Sequence, residues 1–100
     1  MQEIALLPVP SQSFTVSLEG SLYELTLRAC GGMMAADVVQ DGVTVVTGVR
    51  VVAGEPILGF AYLMDGGNFV LYTSNDDLPY YDKFGVSQTL FYLSQAAGEI

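Results

Sequence analysis

The side chains that carry most protein chemistry are scarce in this sequence. It holds no histidine and one cysteine, Cys30. That inventory excludes a Ser-His-Asp or Cys-His nucleophile system, a Cys/His zinc site and an intrachain disulfide. Carboxylates remain, and the densest group is Asn75-Asp76-Asp77 with Asp82 close by. Its oxygens suit a hard cation such as calcium, but the spacing lacks the alternating acids and closing Glu of an EF-hand. A solvated turn whose Asx side chains bond their own backbone is the plainer account. Acid-base work by paired carboxylates needs two of them facing each other across a cleft. Adjacent residues of an extended chain point to opposite faces, which separates Asp76 from Asp77. Gly66-Gly67-Asn68 offers the glycines of a phosphate cradle, yet an apolar strand pattern follows in place of the required Lys and helix. No catalytic residue, cofactor site or metal ligand is assigned.

Composition narrows the function further. Of 100 residues, 51% are hydrophobic and only 14% charged, and eleven acids oppose three bases for a net charge of -8. Arg28, Arg50 and Lys83 are too few and too scattered to neutralise a row of phosphates, so binding nucleic acid through a basic patch is excluded. Disorder is excluded as well, because unfolded chains combine low hydrophobicity with high charge. No apolar run approaches the ~18 residues of a membrane span. The first ten residues lack the basic and apolar regions of a signal peptide. A lone Cys30 beside Gly31-Gly32 fits synthesis in a reducing cytosol, and with Arg28 as its only cationic neighbour in sequence it reads as a bystander thiol.

The elements that must position any functional residue repeat every two residues, not every 3.6. Phe14, Val16 and Leu18 alternate with Thr15 and Ser17, and Tyr23, Leu25 and Leu27 alternate with Glu24 and Thr26, which predicts two half-buried strands. Glu19-Gly20 joins them as a two-residue turn. Pairing Leu18 with Ser21 then sets Val16 opposite Tyr23 and Phe14 opposite Leu25, so the apolar sets meet on one face. Asp41-Gly42 is a type I′ turn signal between strands at about 34 to 40 and 43 to 53, with Gly48 a bulge or bend. A strand over 57 to 63 is expected to turn at Gly66-Gly67 into a third hairpin, placing Met64, Tyr62 and Phe60 opposite Phe69, Leu71 and Thr73. The segment 80 to 85 holds one short helical turn, and 88 to 93 forms the last strand. The stretch Cys30 to Ala36 stays open between strand, loop and partner-binding insertion.

These patterns predict an all-β chain, a small antiparallel barrel or sandwich of six to eight strands built from hairpins, in a single domain over 1–100. Residues 1–10 form an extended arm and 94–100 a weakly ordered tail. Tyr80 and Tyr81 beside Pro79, with Phe84 close by, fall in a loop, where aromatics more often touch partners than fill a core.

Three strings in the chain carry a resemblance. They are Leu7-Pro8-Val9-Pro10-Ser11-Gln12-Ser13-Phe14 leading through Gly20 to Tyr23-Glu24-Leu25-Thr26-Leu27-Arg28, then Gly67-Asn68-Phe69-Val70-Leu71, then Asp77-Leu78-Pro79-Tyr80-Tyr81-Asp82-Lys83-Phe84-Gly85 ahead of Leu90-Phe91-Tyr92-Leu93. From about Ile4 to Leu93 the sequence resembles the baseplate plug family of contractile-tailed bacteriophages. The resemblance implies a non-catalytic virion structural protein without cofactors, made in the host bacterial cytoplasm and located in the tail baseplate. Such a plug closes or shapes the central channel near the hub and the start of the tail tube. Its partners would be the hub and tube-proximal baseplate proteins and further copies of itself in a cyclic homo-oligomer, with DNA passing nearby but no specific nucleic-acid or membrane binding. The expected contact residues are Leu7, Pro8, Val9 and Pro10 of the arm and Tyr80, Tyr81 and Phe84 of the loop. Two other readings suit the same composition. One is an acidic protein-binding or inhibitor module that mimics DNA, and the other a small carbohydrate- or metal-binding β domain using Asp76, Asp77 and Asp82.

Overall fold

The computed structural model describes residues 2–58, 67–74 and 77–94. They form two antiparallel sheets. The larger has the order β2(Ser11–Leu18), β3(Ser21–Cys30), β4(Met33–Gln40), β5(Val43–Arg50), and the smaller sets β7(Gln88–Leu93) between β1(Gln2–Ile4) and β6(Asn68–Thr73). The sheets do not close into a barrel, so of the two expected architectures the layered one is realised.

Three two-residue turns fold the larger sheet. Glu19-Gly20, Gly31-Gly32 and Asp41-Gly42 all have positive φ at both positions, the type I′ geometry whose twist matches the flanking strands. The first sets Leu18↔Ser21, Val16↔Tyr23 and Phe14↔Leu25, the register expected from the alternation. The second settles the open stretch. β3 runs to Cys30, pairs it with Met33, and β4 leads back through Ala36. Asp41 also ties its turn to β3, since Leu22 N–H donates to its Oδ1 at 2.8 Å.

β5 departs from regular pairing. Its register against β4 slips on both sides of the Val38–Val46 pair, and Gly48 takes positive φ, so the expected bulge is present. The slip removes the ladder partner of the Gly48 N–H, which donates instead to Asp37 Oδ1 at 2.6 Å. Arg28 Nη1 holds the other oxygen of that carboxylate at 2.5 Å. Arg28 first, and then the Gly48 N–H, hold the Asp37 carboxyl below the usual carboxylate range.

The two sheets share one apolar core. At its centre Tyr23 of β3 meets Phe69 of β6 edge-on at 5.3 Å and Tyr92 of β7 at 5.8 Å, and those two rings lie 5.4 Å apart. Ring pairs at such separations add about 0.5–1.5 kcal/mol beyond their burial. Gly67 enters β6 against this cluster. A β-carbon there would collide with the Leu93 carbonyl oxygen and the Tyr92 ring, so the backbone approach requires glycine, and the Gly67 N–H donates to the Tyr92 hydroxyl at 3.0 Å.

The Tyr23 hydroxyl is buried without a hydrogen-bond partner. Burial, with the neighbouring Tyr92 phenol second, pushes its pKa upward. An orphaned buried hydroxyl costs about 1–3 kcal/mol. Tyr23→Phe is therefore expected to raise stability by about 1 kcal/mol, a Tm increase of roughly 4–8 °C for a chain this size. The folded state holds the phenolic proton more tightly than the unfolded chain does. Stability thus falls as pH rises past the ordinary phenol value of about 10, and thermal melts at alkaline pH should show Tyr23→Phe flattening that fall.

The strand expected over 57 to 63 begins differently. Pro56 makes a single bridge to Val70, and Ile57 and Leu58 turn with their side chains buried. The remainder of that strand and its Gly66 turn lie outside the described residues. Residues 2–4 of the expected arm form β1 on the edge of β7, and Ile4 and Leu6 enter the core. Of the expected tail, Ser94 is buried and the rest lies outside the described residues.

Candidate interaction surface

The candidate contact segments approach each other where Leu6 meets Gly85. The Leu6 carbonyl oxygen lies 3.3 Å from where a Gly85 β-carbon would sit. Leu6 and Gly85, with Ile4 and Gln88, line a shallow pocket of about 110 Å³. The residues that follow on each side, Leu7 and Val86, are 63% and 83% exposed, and Leu78 of the same loop is 66% exposed. An isolated exposed aliphatic is ordinary; three on a turn and loop that adjoin mark a surface suited to a partner.

Two glutamines fix the backbone of these segments. Gln12, at the start of β2, accepts the Leu7 N–H on Oε1 at 3.1 Å and donates Nε2 to the Leu7 carbonyl at 2.8 Å. A third bond, Val9 N–H to Leu7 C=O at 2.9 Å, tightens the Leu7 to Pro10 turn. Gln88, the first residue of β7, is fully buried. Its Oε1 accepts the Tyr80 N–H at 2.8 Å and its Nε2 donates to the Leu78 carbonyl at 2.9 Å. Each amide thus uses both polar atoms to hold a loop that has no ladder of its own, the satisfied state a buried amide requires.

Further ties hold the second loop. A 3-10 turn spans Tyr81–Lys83, the helical turn expected there. Lys83 Nζ pairs with Asp77 at 3.1 Å across the loop mouth. This engages Asp77 with a cation, and the pair is exposed enough to contribute at most about 1 kcal/mol. Asp82 is exposed, while Asp76 lies outside the described residues. Among the described residues no group of three or more His, Cys, Asp or Glu is placed to hold a metal.

Of the expected contact residues, Leu7, Pro8 and Pro10 are exposed and Val9 is half-buried. Tyr80 and Tyr81 are half-buried, with ring centroids 4.7 Å apart. Phe84 is placed differently. It is 1% exposed and packs in the core, where it anchors the loop and offers no surface to a neighbour.

A family model described as cyanophage baseplate Pam3 plug gp18 matches residues 1–95. The chain belongs to this baseplate plug family. No curated protein matches it. The matched residues include the Leu7 turn and the loop through Val86, together with the glutamines that hold them. Sequence reasoning placed Gln88 simply in a strand and gave Gln12 no structural role. The signal that marks Gln88 is its position two residues before Leu90 and four before Tyr92, on a face whose other members are buried hydrophobics. A polar residue there must find buried partners.

Proposed function

We propose that this chain is a non-catalytic structural component of the phage tail baseplate, seated at the central channel near the hub and the start of the tail tube. The match to a baseplate plug family over residues 1–95 carries this reading. The surface of Leu7, Pro8, Val9, Pro10, Tyr80 and Tyr81, extended by Leu78 and Val86, docks onto neighbouring baseplate proteins, with Phe84 as its internal anchor. Copies of the chain close a cyclic homo-oligomer, in which the same patch recurs on every copy. The protein is made in the host cytoplasm and ends in the virion. Its net charge of -8 keeps a passing polyanion from adhering, because a negative wall offers no counterion-releasing attraction.

A phage carrying Leu7→Asp with Val86→Asp tests the docking surface. Both side chains are largely exposed, so the purified variant should melt like the wild type. Mass spectrometry of purified tails should then show its incorporation reduced by at least about tenfold, the effect of a 1.4 kcal/mol loss in affinity. Incorporation equal to wild type would show that another surface docks the chain.

A further inference from the structure

We propose that two copies of this chain pair through the outer edge of β2, antiparallel and about a two-fold axis at Thr15, joining their four-stranded sheets into one. The proposal rests on the homo-oligomer reading above and specifies it, because an isologous two-fold seam closes a ring of two copies. Long sheet edges are normally blunted by charges, bulges or covering segments. In the smaller sheet the outer side of β6 is covered, since Gly54 and Ile57 donate N–H groups to the Leu71 and Phe69 carbonyls and Pro56 bridges Val70. In the larger sheet β5 is distorted by two register slips. β2 has none of these protections among the described residues. Its eight residues pair with β3 without a slip, carry no charge, and have no strand on their other side.

The side chains of this edge are incompletely covered in the monomer. Phe14 and Val16 pack against the core yet stay partly exposed. A second β2 is the occupant that fits, because the strand is complementary to itself. Directly opposed residues of an antiparallel pair share a face, so a two-fold at Thr15 sets Phe14 against the partner's Val16 twice, Gln12 against the partner's Leu18, and Thr15 against itself on the outer face. The pairing is an aromatic with a β-branched residue and Thr with Thr, both favourable cross-strand combinations. Electrostatics allow it despite the acidic chain. The nearest acids across the axis, the two Glu24 residues beside Thr15 on β3, lie three strand spacings apart, about 14 Å, beyond the ~8 Å screening length at physiological salt.

Sedimentation equilibrium of the purified chain over micromolar to millimolar concentration tests this. The wild type should approach twice the chain mass. Thr15→Lys opposes two ammonium groups at the axis, while each still finds Glu24 of its own chain, so it should keep the wild-type circular dichroism and raise the dissociation constant about fivefold or more. With Cys30→Ser to remove the native thiol, Thr15→Cys should form a disulfide-linked dimer on oxidation. Ser17→Cys should not, because Ser17 faces the partner's Ser13. A wild type that stays monomeric throughout would overturn both the seam and the homo-oligomer. Self-association unaffected by Thr15→Lys would leave the homo-oligomer standing and overturn the seam. Cross-linking at position 17 in place of 15 would overturn the register.

Discussion

Phe84→Ala should destabilise the protein by about 3–5 kcal/mol, the usual cost of removing a buried phenylalanine and leaving a cavity. The ring is 1% exposed and belongs to the core shared by both sheets. It sits at the C-terminal end of the 3-10 turn, where its N–H bonds the Tyr81 carbonyl at 3.1 Å and its backbone bridges Gln88. Gln88, which its backbone bridges, is fixed at the start of β7. A chain of this length has about 5–15 kcal/mol of total stability, so the loss is a large share of it. Urea unfolding should show the midpoint falling with the slope unchanged. A cost under about 1 kcal/mol would mean that the ring does not anchor the loop.

Gln88→Ala should cost about 2–5 kcal/mol by a different route. It leaves the Tyr80 N–H and the Leu78 carbonyl, bonded at 2.8 and 2.9 Å in a part-buried setting, without the amide that joins them. Each orphaned group costs about 1–3 kcal/mol. Hydrogen exchange separates this from a simple packing loss. The Tyr80 amide should exchange about tenfold faster for each 1.4 kcal/mol lost from the loop, and it should lose protection ahead of the β3 and β4 amides. Uniform acceleration across the sheets would point to packing alone. Gln88→Glu is the harsher case at neutral pH. Its carboxylate can still accept the Tyr80 N–H, but it sets an anionic oxygen against the Leu78 carbonyl and buries an unpaired charge, so its cost should equal or exceed that of the alanine variant.

The parts of the fold that were readable from sequence are those fixed by local chemistry. Glu19-Gly20 and Asp41-Gly42 set their turns through backbone conformation alone, and the Phe14, Val16, Leu18 alternation fixed the register that followed. Gly31-Gly32 makes the same kind of turn. It was obscured because Met33-Met34-Ala35-Ala36 is apolar on both faces of β4 and shows no alternation. Phe84 misled for a related reason. An aromatic in a loop reads as a contact residue, but here the ring turns inward and packs in the core shared by both sheets. The Tyr23, Phe69 and Tyr92 cluster joins three strands far apart in sequence, which no short-range pattern encodes. Gln12 and Gln88 hold their loops through bonds spanning five to ten residues, and a period-two pattern registers such residues only as polar members of a strand. The family resemblance was legible because it rests on turn and strand strings, and those same strings carry the arm and the loop that the structure brings together.

The most direct test of the account is a density map of the assembled tail baseplate at side-chain resolution. The account predicts that Leu7, Leu78 and Val86 are buried against a neighbouring baseplate chain, with Phe84 still inside its own core. Finding those three residues facing solvent, while some other face of the chain carries the contacts, would contradict it.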